Sequence, residues 1–182
     1  IKPEPLTGSI LPPLHQTATY VLEEVGKDKG FDYTRSANPT RQMMEEHLAK
    51  LDSGKYGIAF SSGMSAVDSC LKLLKSGDHI ICSDDVYGGV SRLFNQVLVN
   101  YKLEFTYVDT SFPQRIEEAI RPNTKMIWAE TPTNPLLKVS DLNELNKIAK
   151  KHNLLFGIDS TFSTPVFLRP LEFGADLVMH ST

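Results

Sequence analysis

The sequence has few cysteines, and the two that it has, Cys70 and Cys82, form no CxxC pair. Both lie among apolar residues, which predicts free, buried thiols in a cytosolic protein. No apolar run reaches the length of a membrane span, and the first residues are rich in proline, unlike a signal peptide. The histidines show no HExxH or similar ligand spacing, so no metal site is predicted.

An excess of positive charge is also missing, since the formal net charge is −3 at pH 7. This balance argues against a nucleic-acid surface. Three common signatures are absent as well: the GxGxxG of dinucleotide folds, the GK[ST] of a P-loop and the GxSxG of a nucleophile elbow. With 182 residues, 41% of them hydrophobic, the chain is long enough to bury one core and is expected to be globular.

Residues 1–40 contain several prolines and glycines and show no sustained periodicity. This composition predicts an extended arm without a core of its own. Such an arm gains order by lying against a partner, so we expect an oligomer. Within it, Tyr33 and Arg35 are placed so that in an extended segment they point the same way. Spacing alone fits a shared binding role and two ordinary surface side chains alike.

From residue 41 onward the hydrophobic pattern alternates between helices and strands. This alternation predicts an α/β fold with a mostly parallel sheet sandwiched by helices. Helices are predicted at 41–51, 65–74, 91–101, 113–120 and 142–151. Strands are predicted at 56–60, 79–82, 104–108, 125–130, 154–159 and 175–179. Ser140 is the expected N-cap of the last helix.

Asp159 ends a short apolar run and is followed by a turn-prone segment. The pattern predicts a buried strand that delivers one carboxylate to the carboxyl edge of the sheet, where α/β proteins bind ligands. Three other loops follow predicted strand ends and are expected at the same edge. They are SSGM (residues 61–64), DVYGG (residues 85–89) and ETPTNP (residues 130–135).

Each loop has a functional and an ordinary interpretation. The turn at residues 61–64 precedes a helix, so its N–H groups are suited to a phosphate, although it also fits a plain turn with serine caps. Tyr87 is suited to stack on a flat heterocycle or to pack on its own loop. Asn134 is suited to donate to an anionic oxygen or to cap its loop. Together with Asp159, these features favour a phosphorylated pyridine, pyridoxal 5'-phosphate, whose ring nitrogen a carboxylate keeps protonated.

Six segments carry a recognisable pattern: YTRSANPT (33–40), SSGM (61–64), DVYGG (85–89), ETPTNP (130–135), IDSTF (158–162) and GADLVMHST (174–182). Together they resemble the family of pyridoxal-phosphate enzymes of Cys/Met metabolism, which includes cystathionine γ-synthase and cystathionine γ-lyase. The resemblance implies the aspartate-aminotransferase type of fold (fold type I). It also implies an arm at residues 1–40 and an incomplete cofactor-binding large domain at residues 41–182, with a carboxyl-terminal domain missing.

The resemblance assigns a role to individual positions. It places Ser62, Gly63, Met64 and Ser181 at the phosphate, while Tyr87 stacks on the ring and Asp159 pairs with its nitrogen. The last two are the expected catalytic residues. The remaining implied contacts are Tyr33 and Arg35, which reach the cofactor phosphate of the neighbouring subunit, and Asn134, which lies near the ring hydroxyl and the substrate carboxylate. Tyr33, Tyr87, Arg92 and Asn134 are the expected substrate-binding residues.

Two departures from the family pattern stand out. Ser160 occupies a position where the family usually has Asn, which affects a supporting contact. The family's Ser-x-Thr-Lys motif is cut at Thr182, so the Schiff-base lysine is expected just beyond it. A first residue other than Met and an end directly after a predicted strand also suggest a fragment, which alone lacks that lysine.

The resemblance implies a lyase or transferase that acts at the γ-carbon of sulfur amino acids in trans-sulfuration. Arg92 matches an arginine of cystathionine γ-synthases and γ-lyases that meets a distal substrate carboxylate, and Gly89 stands where methionine γ-lyases have Cys. Expected substrates are cystathionine, cysteine and substituted homoserine, and the expected assembly is a cytoplasmic dimer of dimers with shared sites. The alternatives are a cystathionine β-lyase, a methionine γ-lyase and a non-catalytic relative.

Overall fold

The computed structural model describes residues 3–182, and its internal contacts divide the chain into two compact units. The first consists of Ile1–Lys50 and Gly54–Ala59, and the second of Leu51–Ser53 and Phe60–Thr182. The predicted domain boundary at residue 40 stays a prediction.

The first unit carries the proline-rich segment and all but the last residue of helix α1 (Pro39–Leu51). The helix begins slightly earlier than predicted, because the side-chain oxygen of Asn38 accepts from the Thr40 N–H at 2.9 Å and so caps its first turn. Ahead of α1 the backbone forms isolated bridges, such as Thr19 with Tyr33. Large apolar side chains of this segment are exposed, among them Leu6, Ile10, Val21 and Val25.

The prediction of a strand at residues 56–60 is wrong. No strand forms there, and Tyr56 and Ile58 are 77% and 73% exposed. The Ala59 N–H instead donates to the Glu45 carboxylate at 2.8 Å. An apolar, alternating pattern is insufficient for a strand when no neighbouring strand is available for pairing.

The second unit is built on a five-stranded parallel sheet in the order β2-β1-β3-β4-β5. The strands are β1 (His79–Ser83), β2 (Glu104–Val108), β3 (Thr124–Glu130), β4 (Leu155–Asp159) and β5 (Leu177–Met179). β1 lies between β2 and β3, and the direction in which successive strands are added to the sheet reverses there. Such a reversal opens a crevice at the carboxyl ends of the strands.

Helices cover both faces of this sheet. They are α2 (Gly63–Leu71), α3 (Gly88–Arg92), α4 (Pro113–Ala119), α5 (Leu142–His152) and the short α6 (Thr164–Phe167). One face packs Val67 and Phe94 against Trp128. The other packs Ile116 and Leu145 against neighbours that include Ile127 and Ile158. Because side chains alternate along a strand, the strands are apolar on both faces, as expected for a covered parallel sheet.

Two local predictions need correction. The segment predicted as one helix at residues 91–101 is divided into α3, a π-helical turn at Leu93–Val97 and a 3-10 turn at Leu98–Tyr101. The N-cap of α5 is Asp141 rather than Ser140, since the Asp141 carboxylate accepts from the Asn143 N–H at 2.9 Å. Ser140 is buried instead, and its hydroxyl lies 2.8 Å from that of Thr110.

Residues 3–182 contain neither a candidate membrane span nor a candidate metal cluster. Within that range, no helix combines the length and apolar character needed to cross a membrane. The same residues contain no cluster of three or more His, Cys, Asp or Glu side chains placed to hold a metal ion. Cys70 and Cys82 are free thiols, the second fully buried.

Candidate active site

A cavity of about 370 Å³ lies at the carboxyl edge of the sheet in the second unit. Its lining comes from the start of α2 and from the loops that follow β1, β3, β4 and β5. The lining residues are Ser62, Gly63, Met64, Tyr87, Val90, Glu130, Asn134, Asp159, Thr161, Phe162, Met179 and Ser181. Seven site residues expected from the sequence are therefore brought together by the fold.

One end of the cavity is the first turn of α2. Ser62 is its N-cap, and the Ser62 hydroxyl accepts from the Ser65 N–H at 3.1 Å. The N–H groups of Gly63 and Met64 have no acceptor within the helix, because they belong to its first turn. A Cβ atom at Gly63 would lie 2.7 Å from Cβ of Ser181 and 2.9 Å from its hydroxyl oxygen. Glycine thus allows Ser181 to approach the helix start closely.

Tyr87 follows β1 and precedes α3, and its side chain is 48% exposed. The ring lies close to Gly89, where an added Cβ would be 2.5 Å from a ring carbon and 2.9 Å from the Met64 sulfur. A residue larger than glycine at position 89 would therefore force the ring or Met64 to move. The glycine keeps an aromatic face beside the start of α2.

Asp159 is the last residue of β4 and is 4% exposed. One carboxylate oxygen accepts from the Thr161 N–H at 3.0 Å. Burial raises the pKa of Asp159, while the hydrogen bonds from Thr161 and the nearby His180 lower it. A buried carboxylate of this kind favours a cationic partner, because a positive charge offsets its loss of hydration.

Glu130 is the functional candidate that sequence reasoning missed. It ends β3, is 5% exposed and lines the cavity beside Asp159. Burial raises its pKa to about 7; the N–H groups of Tyr87 and Asn134 lower it, and the negative charges of Asp159 and Asp85 raise it. The signal was present in the sequence, since MIWAE ends an apolar run with a carboxylate, as LFGID does.

Three expected site residues are not among those that line the cavity. Tyr33 and Arg35 belong to the first unit, where the guanidinium donates to the Tyr33 hydroxyl at 2.8 Å and lies 5.3 Å from the ring centroid. Arg92 is the last residue of α3 and is exposed. Ser160, the departure from the family pattern, is fully buried, and its hydroxyl lies 2.6 Å from that of Ser163.

The residues of the cavity fit pyridoxal 5'-phosphate. Ser181 lies close to Gly63 at the start of α2, where the first N–H groups have no acceptor within the helix, and this arrangement suits a phosphate. Asp159 is a buried carboxylate that lacks a paired cation among residues 3–182, and Tyr87 offers an aromatic face. Fold and site together define an α/β protein with a cavity at the carboxyl edge of its sheet whose lining is suited to a phosphorylated ligand.

The chain belongs to the family described as "Cys/Met metabolism PLP-dependent enzyme", whose model matches residues 1–182. It is 49% identical over 175 residues to the cystathionine gamma-lyase of Bacillus subtilis (strain 168), covering 96% of this chain and 46% of that protein. It is 48% identical over 170 residues to the cystathionine beta-lyase MetC of Staphylococcus haemolyticus (strain JCSC1435), covering 93% of this chain and 44% of that protein.

Among solved structures, the chain resembles the cystathionine gamma-lyase from Lactobacillus plantarum complexed with L-serine. The TM-score is 0.95 at 41% identity, covering 99% of this chain and 47% of that one. The chain therefore spans about half the length of the relatives it matches. These matches confirm the predictions of family, of fold type I and of a pyridoxal-phosphate-dependent class of enzyme.

Proposed function

We propose that the protein to which this chain belongs is a pyridoxal-phosphate enzyme that acts at the γ-carbon of sulfur amino acids, as a cystathionine γ-lyase or γ-synthase. The main observation in support of this proposal is that Gly63, Tyr87 and Asp159, from three separate elements, line one cavity. Bound there, the cofactor supplies an electron sink that stabilises a substrate carbanion.

The chain's own residues divide the work of holding that cofactor. The N–H groups of Gly63 and Met64, with Ser62 and Ser181 alongside, bind the phosphate through the open first turn of α2. Asp159 holds a proton on the ring nitrogen, because its buried carboxylate favours a cation. Tyr87 orients the ring by stacking, and Asn134 is placed to meet a carboxylate of the substrate or the ring hydroxyl.

The preference for a cystathionine γ-lyase or γ-synthase over a methionine γ-lyase rests on two positions. Gly89 leaves no room for the Cys of methionine γ-lyases unless Tyr87 or Met64 moves, which argues against that activity. Arg92 supports a substrate with a distal carboxylate, and its exposed position at the end of α3 leaves its guanidinium accessible. The second candidate is β-elimination from cystathionine, because relatives of 45% and 48% identity are named cystathionine β-lyases.

The assembly and compartment belong to the same proposal. We infer a cytoplasmic dimer of dimers in which Tyr33 and Arg35 reach the cofactor phosphate of the neighbouring subunit. The exposed apolar side chains of the proline-rich segment support this assembly, because exposed apolar surface of this extent is typical of surfaces that pack against another chain.

The test is an assay of the full-length protein with pyridoxal 5'-phosphate. We expect a visible absorption band on binding and covalent attachment of the cofactor after borohydride reduction, seen as a mass increase. Cystathionine then distinguishes γ-elimination from β-elimination, because with water the first yields 2-oxobutanoate, ammonia and cysteine, while the second yields pyruvate, ammonia and homocysteine. A protein that binds the cofactor but turns over no sulfur amino acid would be the non-catalytic relative.

A further inference from the structure

Glu130 connects two loops of the cavity through the two oxygens of one carboxylate. One oxygen accepts from the backbone N–H of Tyr87 at 2.8 Å. The other accepts from the backbone N–H of Asn134, also at 2.8 Å. Tyr87 lies in the loop after β1, and Asn134 in the loop after β3. Tyr87 is the residue proposed to contact the cofactor ring, and Asn134 is the one proposed to contact the ring hydroxyl or the substrate.

The base of this connection is fixed as well. The backbone N–H of Glu130 donates to the Ser83 hydroxyl at 3.1 Å, and that hydroxyl lies 2.9 Å from the hydroxyl of Thr110. Glu130 is 5% exposed, so water does not readily replace either carboxylate contact. Its position at the end of a central strand makes it a rigid anchor for both loops.

The chemistry requires both oxygens to accept. A carboxylate offers acceptors on each oxygen, whereas an amide of the same shape offers one oxygen and one NH₂ donor. In Glu130→Gln one of the two backbone N–H groups would therefore face a donor and lose its bond, and a buried donor without a partner is costly. The substitution keeps the volume and removes one specific contact.

A second connection between the same loops provides a matched control. The Asp85 carboxylate accepts from the Leu136 N–H at 2.9 Å and also bonds the Thr133 hydroxyl. Asp85 does not line the cavity, and it bonds neither the Tyr87 nor the Asn134 N–H. Loss of Asp85 would thus loosen the loops without touching the two residues that face the ligand.

We propose that Glu130 is a positioning residue, whose carboxylate sets the Tyr87 ring and the Asn134 side chain in place relative to each other. This inference rests on the proposed function, because it assigns Glu130 to the cofactor-facing side of the site. It goes beyond the contacts of the cofactor itself, since the carboxylate acts through two backbone N–H groups that belong to different loops.

The experiment compares full-length wild type, Glu130→Gln and Asp85→Ala. Without cofactor, hydrogen exchange of individual backbone amides is followed by NMR; with cofactor, affinity and the visible circular dichroism at saturation are measured. For Glu130→Gln we expect exchange at Tyr87 or Asn134 to be at least about tenfold faster, cofactor affinity to fall by about tenfold and the dichroic band to change. For Asp85→Ala, which removes the single oxygen that accepts from both Leu136 and Thr133, we expect faster exchange at Leu136, with affinity and dichroism close to wild type.

A merely structural role of Glu130 predicts a loss of stability without any change at the two loops. If Glu130→Gln lowers the melting temperature but leaves amide exchange at both positions and the dichroic band unchanged, the positioning role is overturned. If Glu130→Gln does not fold, Glu130→Asp, which keeps two acceptor oxygens on a shorter side chain, is measured in the same way. Effects of Glu130→Asp on amide exchange and cofactor affinity that are smaller than those expected for Glu130→Gln support the proposal, and wild-type values overturn it. Should the wild type bind no cofactor while Glu130→Gln still accelerates exchange, the proposed function fails and the connection between the loops stands.

Discussion

Glu130 and Asp159 are register partners on the neighbouring parallel strands β3 and β4, and both side chains line the same cavity. Burial raises the pKa of each carboxyl group, and the charge of Asp159 raises that of Glu130 further. Two buried carboxylates side by side oppose each other's ionisation. A cation near Asp159 would relieve this conflict, whereas without one the site is electrostatically costly to keep ionised.

The first prediction concerns pH and the stability of the cofactor-free protein. The pKa of Glu130 is about 7 in the folded protein against 4.5 for an ordinary Glu. Below pH 4.5 the Glu130 side chain is protonated in both the folded and the unfolded protein. Between about pH 4.5 and 7 it loses its proton first in the unfolded protein, so the free energy of unfolding falls as pH rises. The loss from this group is on the order of 3 kcal/mol and levels off above pH 7. Urea unfolding across this range should show a steeper slope for the wild type than for Glu130→Gln, which keeps only the contribution of Asp159 and other groups; equal slopes would contradict the prediction.

Asp159→Ala should lower turnover by about 10²–10³, because the ring nitrogen loses its charge partner. Folding should change much less. Asp159→Asn is the matched control for the loop, since its side-chain oxygen still accepts from the Thr161 N–H that Asp159 bonds at 3.0 Å. Asn carries no charge, so it should lose turnover as Ala does. Steady-state rates and melting temperatures check this, and near-normal turnover of either variant would make Asp159 a structural cap.

Gly63→Ala should destabilise the protein by about 1–3 kcal/mol and weaken cofactor binding, because the new methyl group is forced against Ser181. The added Cβ would be only 2.7 Å from Cβ of Ser181. Gly88→Ala is the control, because its Cβ would meet an Arg92 nitrogen at an ordinary 3.5 Å. That variant should stay within about 0.5 kcal/mol of wild type. Urea unfolding and cofactor titration measure both effects, and similar behaviour of the two variants would refute the close-approach explanation.

Arg92→Ala should weaken the use of cystathionine by roughly 1.5–3 kcal/mol in kcat/KM, as expected for a hydrogen bond to a charged group. Substrates without a distal carboxylate should be affected much less. Arg92→Lys retains the charge and should recover part of the loss. Equal losses for both kinds of substrate would mean that Arg92 only supports α3.

Shared sites predict complementation between inactive chains. Full-length Arg35→Ala and Asp159→Ala, each inactive or nearly so alone, should regain about a quarter of all sites when co-expressed with random pairing. One site of a mixed dimer then collects both lesions, and the other carries none. Arg35 suits this role because its guanidinium already pairs with the Tyr33 hydroxyl, which presents the two side chains together. Heterodimers that remain inactive would show that each chain supplies its own Arg35.

The sequence predicts the alternation of strands and helices well, because long apolar segments such as residues 125–130 and 142–151 carry clear periodicity. It fails at residues 56–60, where strand formation depends on a pairing partner that local pattern does not reveal. The role of Glu130 was also hidden. Its bond to Tyr87 joins residues far apart in the chain, and only the parallel register of β1 and β3 brings them together.

The cavity takes its walls from the start of α2 and from the ends of four strands, so residues as distant in sequence as Gly63 and Ser181 meet in it. Such a site does not exist in a partly assembled sheet. A ligand bound there consequently stabilises the whole second unit. Its binding free energy is added to the free energy of global unfolding rather than to that of a local opening. At about 100 times its dissociation constant, that amounts to about 2.7 kcal/mol. Saturation with cofactor should therefore slow amide exchange even at strand centres remote from the cavity.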